Sequence, residues 1–205
     1  MTVKPRKVVR RASGKATGSA NRAARSAGRM AAVQALYQMD LAGTDVTDVI
    51  HEFTTLRFPT EETEANPAEE TTEPKTPATD AAFFAELVRG VVRRQRDIDP
   101  MIDHQLALNW RLKRVDSTLR AILRAGAFEL IERRDIPARV VINEYIEVAH
   151  AFFDDDEPKV ANGVLDRLAR RLRVSEFEMR RTSPQDKNEP PADTEPDPSP
   201  DRANG

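Results

Sequence analysis

The chain has 205 residues, 32 Lys/Arg against 34 Asp/Glu, a formal net charge of −2 and only 39% hydrophobic residues. That length allows one compact domain, or two small ones, plus tails, and the composition is too polar for all of it to pack uniformly. Cysteine is absent, which excludes disulfides, thiolate zinc sites and cysteine catalysis, and no apolar run approaches the roughly 18 residues of a bilayer span.

Charge is segregated along the chain. Residues 1–39 carry nine bases and no acid, residues 44–80 carry ten acids and two bases, and residues 182–205 carry six acids and two bases. The basic start has no apolar h-region behind it, so it does not read as a secretory signal, and a cytoplasmic protein without a membrane partner is expected. Residues 1–20 read as a disordered basic tail. From near Asn21 a helix follows, with Met30, Val33, Tyr37 and Leu41 on one face, stopping near Gly43. Residues 59–80, rich in Glu, Thr and Pro, read as a flexible acidic insertion. Asp80 caps a helix carrying Phe83, Phe84, Leu87, Val91 and Ile98.

The clearest periodicity lies in Leu119, Ile122, Leu123, Gly126, Ala127, Leu130 and Ile131, with Asp116 or Ser117 as cap and Asp135-Ile136-Pro137 as stop. Pro137 suits the first turn of the next helix, whose apolar set is Val141, Ile142, Tyr145, Val148, Ala149 and Phe152. Asp155 or Asp156 caps a further helix with Pro158 in its first turn and Val160, Ala161, Val164, Leu165, Leu168, Ala169 and Leu172 along it. Residues 182–205 contain no hydrophobic side chain larger than Ala and read as a disordered acidic tail. Residues 21–181, apart from the insertion, form the foldable part, and its class is all-α with antiparallel neighbours.

Enzymatic signatures are missing: there is no phosphate-binding loop, dinucleotide fingerprint or nucleophile elbow. Glu147-x-x-His150 has the spacing of a di-iron motif but lacks a second copy on another helix, so it reads as a solvated helix face and no metal or cofactor is expected. Asp154-Asp155-Asp156-Glu157 reads as a helix N-terminus, where carboxylates suit the macrodipole. The cations are more informative. Arg22, Arg25 and Arg29 form an i, i+3, i+7 stripe at a helix start, where the macrodipole and mutual repulsion disfavour them. With six Lys/Arg in the tail before them, a phosphate backbone is the natural partner. Arg89, Arg93 and Arg96 form a second stripe.

Four stretches, in order, resemble the NusB family of bacterial transcription antitermination factors. They are Ala32-Val-Gln-Ala-Leu-Tyr37; Glu86-Leu-Val-Arg-Gly-Val-Val92; Arg120-Ala-Ile-Leu-Arg124 with Glu129-Leu130 and Asp135-Ile-Pro137; and Val141-Ile-Asn-Glu144 followed by Asn162-Gly-Val-Leu-Asp166. The resemblance covers about residues 22–172. It implies two small helical bundles packed across each other and a non-enzymatic role. That role is binding the boxA element of nascent ribosomal RNA with the ribosomal protein NusE, within an antitermination complex of RNA polymerase. It implies RNA contacts from Arg25 and Arg29, and from Asp156, Lys159, Asn162 and Gly163 in a D-x-x-K-F-V-N-G motif. Val160 stands where the family has Phe, so a base-stacking ring is missing there unless Phe152 or Phe153 supplies one. Phe152 is expected to face the core. Gly163, inside a periodic helix, is expected to permit close approach of another helix.

Other readings are a protein-only helical interaction module, such as a homodimer, and a stray NusB-like module of an RNA methyltransferase. The methyltransferases need catalytic cysteines and an S-adenosylmethionine domain, for which this chain has neither cysteine nor residues.

Overall fold

The computed structural model of the protein describes residues 13–58, 79–107 and 110–181. Most of the acidic insertion, the C-terminal tail and residues 1–12 lie outside them. Seven α-helices are present among the described residues and no strand: α1 (Ser13–Ala42), α2 (Val46–Glu52), α3 (Ala81–Asp103), α4 (Ser117–Glu132), α5 (Ala138–His150), α6 (Glu157–Leu172) and α7 (Val174–Arg181). A π-helical turn, Phe53–Arg57, closes α2, and a 3₁₀ turn, Leu112–Arg114, precedes α4.

Helix α1 begins eight residues earlier than the expected start at Asn21, so residues 13–20 are not part of a structureless tail. They prolong a helix already nucleated by the Ala-rich stretch behind them, and extension is far cheaper than nucleation. At the other end Gly43 stops it in a left-handed conformation (φ 67°), with its amide donating to the Met39 carbonyl. The insertion gives way to the fold at Thr79. The Asp80 amide donates to the Ala24 carbonyl, and its carboxylate accepts from the Phe83 amide at 3.0 Å, capping α3 against α1. Asp116 caps α4 through the amides of Thr118 and Leu119. Pro137 sits at the cap of α5 rather than in its first turn.

The sequence of α4 explains its central position. Its small and apolar residues are distributed nearly all round, and it packs against α1 and α3 on one side and α5 and α6 on the other. Helices α1–α3 and α5–α6 therefore form two groups laid across one shared helix, with a single continuous core running from Ala32 and Phe84 through Ile122 to Leu165. Close approach is built on glycine twice. A Cβ at Gly90 would collide with the Phe128 ring, and one at Gly126 would fall 2.9 Å from Leu165. Gly163 is different. A Cβ there would meet only the Arg167 guanidinium, at 3.6 Å, so no neighbouring helix accounts for it.

Candidate nucleic-acid interface

The expected arginine stripe lies well inside α1, not at its start, because the helix begins at Ser13, and it divides into two kinds of residue. Arg22 is exposed and has no ion pair among the described residues. Arg25 is partly exposed, lies 3.8 Å from the Asp80 carboxylate and rests over the Phe83 ring. Arg29 is buried, only 3% exposed, which corrects its assignment as a phosphate contact. Its Nε and Nη2 donate to the two carboxylate oxygens of Glu129 at 3.0 and 2.5 Å, and its Nη1 donates to Glu144 at 3.1 Å. Ser26 donates to the same Glu144 oxygen, and the Tyr145 hydroxyl donates to Glu129 at 3.1 Å. Burial works against the charge of Arg29, but the bond and charge of Glu129, helped by Glu144, outweigh it and raise its pKa. Burial, then the Glu129 charge, holds the Tyr145 hydroxyl well above its ordinary range, so it remains a donor. The arrangement ties α1 to α4 and α5. With Arg29 bound to two internal carboxylates, the cations left for a ligand here are Arg22 and Arg25, beside Ile136 and Val140.

The second group of expected residues lies at the start of α6. Asp156 precedes the helix, but its carboxylate does not cap the helix amides. It accepts instead from Lys159 Nζ at 2.7 Å, and that bond lowers the Asp156 pKa and raises that of Lys159. Asn162 is exposed and makes no side-chain hydrogen bond among the described residues, so it satisfies no buried backbone group. Val160 is half-buried against the core.

The two groups are not adjacent. Arg22 and Arg25 lie beside the start of α5, whereas α6 starts beyond its end. The distance along α1 from Arg25 to Tyr37 is twelve residues, about 18 Å at 1.5 Å per residue. Two concavities occupy the far end. One, of about 580 Å³, is lined by Tyr37, Leu41, Phe152 and Thr118. The other, of about 320 Å³, is lined by Trp110, Arg111, Arg114, Leu119, Glu157 and Val160. They adjoin at the first turn of α4. Phe152 thus does not face the core. Helix α5 ends at His150, the Phe152 amide closes a tight turn onto the Ala149 carbonyl, and the ring leaves the helical register to stand 39% exposed. Tyr37 and Leu41 likewise run off the core onto the surface.

The family profile that matches this chain, that of the NusB family, spans residues 26–170.

The chain belongs to the NusB family.

It is 51% identical over 145 residues to the transcription antitermination protein NusB of Allorhizobium ampelinum, an alignment covering 71% of this chain and 85% of that one. The same-named protein of Maricaulis maris is 52% identical over 148 residues, covering 72% and 87%. Among solved structures, T. maritima NusB superposes with a TM-score of 0.58 at 28% identity, over 75% of this chain and 96% of that one. Another, described as the antitermination factors NusB and NusE in complex with dsRNA, gives a TM-score of 0.56 at 21% identity, over 71% and 96%. The protein has the all-α NusB fold, and its family and relatives make it a transcription factor, not an enzyme. Among the described residues no helix is long and apolar enough to cross a membrane, and no group of three or more His, Asp or Glu side chains could hold a metal ion.

Two residues stand out only in the structure. Trp110 is the sole tryptophan, stands 51% exposed and belongs to no periodic apolar stripe. An aromatic residue outside every stripe and followed by Arg111 was the available signal. The other is Arg173, which looks like one more surface cation and is 4% exposed. It donates to the carbonyls of Glu129, Leu130, Arg133 and Ile136, closing the end of α4.

Proposed function

We propose that this protein is a transcription antitermination factor that binds the boxA element of nascent ribosomal RNA together with the ribosomal protein NusE. In this reading it acts in the cytoplasm as part of an antitermination complex of RNA polymerase. Family membership across residues 26–170 carries the reading. The relatives named as transcription antitermination proteins support it, as does a structural neighbour described with NusE and dsRNA. The acid-free run through residue 39, with its nine cations, supplies the electrostatic attraction that a phosphate backbone requires.

The RNA path follows from the two separated groups. Arg22 and Arg25 hold phosphates at one end. The strand then runs along α1 past Tyr37 and Phe152 to the start of α6, where Lys159 and Asn162 face solvent. Asp156 orients Lys159, and Val160 offers an apolar surface. Arg29 acts from inside, holding the middle of α1 on α4 and α5 so that Arg22 and Arg25 keep their places.

A titration of boxA RNA and a scrambled control, with and without NusE, tests the reading. Tighter binding of boxA, strengthened by NusE, is expected. The Arg22→Ala/Arg25→Ala variant should bind more weakly, and its slope of log affinity against log salt should flatten by about 0.7 for each phosphate no longer neutralised. Unchanged affinity and slope would remove this end of α1 from the RNA face, and equal binding of boxA and scrambled RNA would remove boxA.

A further inference from the structure

The groove between the starts of α4 and α6 has the parts of a nucleobase site. Its walls include Val115, Leu119 and Val160, and the Trp110 ring stands half-exposed at its side. Trp110 is held through its backbone. Its amide donates to the Ala107 carbonyl. The turn after it is pinned from both sides: Asp103 accepts from the Leu112 amide at 2.7 Å, and Arg120 Nη1 donates to the carbonyls of Leu112, Lys113 and Val115.

The charges of the groove are distinct in kind. Asp116 is engaged by the α4 amides and Asp156 by Lys159. Glu157 is not engaged: its Oε2 is buried without a hydrogen-bond partner among the described residues. Glu157 is half-buried at the wall of the groove, so its carboxylate is within reach of a donor on a bound ligand. Arg111 and Arg114 are exposed at the rim and form no ion pair among the described residues. A ligand that fits has a flat apolar face, an N–H at its edge and a negative charge behind it, and each of the four RNA bases with its phosphate has all three. A volume of about 320 Å³ is within the range of small-ligand sites.

We propose that this groove binds one nucleotide of single-stranded RNA. The base stacks on Trp110, a base N–H donates to Glu157, and Arg111 and Arg114 meet the adjoining phosphates. Trp110 thereby supplies, from the opposite wall, the π-face that Val160 does not. The inference rests on the RNA-binding reading above and adds to it the residue, Trp110, that stacks a base at the α6 end of the path.

Because Trp110 is the sole tryptophan, its emission reports on this groove alone. Affinity is read separately, by anisotropy of labelled boxA RNA with the full chain. The expected result is quenching of tryptophan emission that saturates with the anisotropy change. Trp110→Ala should weaken binding about 5- to 150-fold, the range of one stacked base, and Trp110→Phe should retain most of the affinity. RNA that binds by anisotropy while emission stays constant and Trp110→Ala binds equally well would overturn the stack and leave the RNA-binding reading intact. Absence of any anisotropy change, with or without NusE, would overturn both. Melting curves of the variants separate lost stacking from lost folding, and quenching of the unaltered chain decides the matter even if Trp110→Ala does not fold.

Discussion

Arg29 keeps a full positive charge inside the protein because carboxylates from two different helices meet it there. Glu129 is entirely buried, so removing the guanidinium leaves an anion without compensation in a low-dielectric site. Arg29→Ala should therefore lower stability by about 3–5 kcal/mol, read as a shift of the urea midpoint. Adding Glu129→Gln should recover part of that loss, since a neutral amide needs no counter-charge. An unchanged midpoint for Arg29→Ala would mean that the pair contributes nothing. None of this is legible in the sequence, where Arg29 stands out only as a member of the stripe. An arginine in an i, i+3, i+7 stripe reads as a surface cation, and its partners Glu129 and Glu144 lie 100 and 115 residues away. Arg173 was hidden for the same reason. What local spacing indicates is Arg22, which is exposed on α1 and needs no distant partner to be so, although it lies nine residues inside the helix and not at its start.

Among elements, legibility follows length. The stripes of α3, α4, α5 and α6 repeat over three or more turns, and the caps Asp80 and Asp116 perform as their residue types suggest. Helices α2 and α7 have seven and eight residues, too few for a period to stand out, and their role is set by tertiary packing. Helix α7 shows this well. Pro137 leaves the start of α5 without a side-chain cap, and Glu176 of α7 supplies one from outside, accepting from the Ala138 amide at 2.8 Å and from Arg173 at 3.0 Å. Burial of Glu176 raises its pKa, but the Ala138 and Arg173 bonds outweigh it, and the net shift is downward. A depressed carboxylate contributes stability that is present above its unfolded pKa and lost as pH falls through its folded pKa. Glu176→Gln should thus lower the melting temperature near neutrality and narrow its gap to the parent as the pH drops below about 4. Glu176→Ala should cost about 1 kcal/mol, the usual value of a lost N-terminal cap. A gap between parent and Glu176→Gln that stays constant from pH 7 to pH 3 would show that the ionised carboxylate is not the cap.

At the scale of the whole molecule, the shared helix α4 makes one cooperative unit of the two helical groups, because the core is continuous through it. The candidate RNA path uses both ends of that unit, Arg22 and Arg25 at one and the Trp110 groove at the other, and so depends on the unit staying rigid between them. The acidic segments stand apart from this requirement. Residues 59–78 and 182–205 contain no hydrophobic side chain larger than Ala, so neither has apolar surface with which to extend the core. Thr79 and Asp80 must be kept, since Asp80 holds α3 to α1 and caps it. Replacing 59–78 by a short Gly/Ser linker and ending the chain after residue 181 should leave the melting temperature within a few degrees of the parent and the unfolding transition equally steep. The same variant loses more acids than bases, so its RNA affinity at low salt should rise if it changes at all, with the difference disappearing at high salt. A broadened transition would show that one of the removed segments packs on the core. A fall in RNA affinity with folding intact would show that one of them carries part of the RNA or NusE surface, which their composition gives no reason to expect.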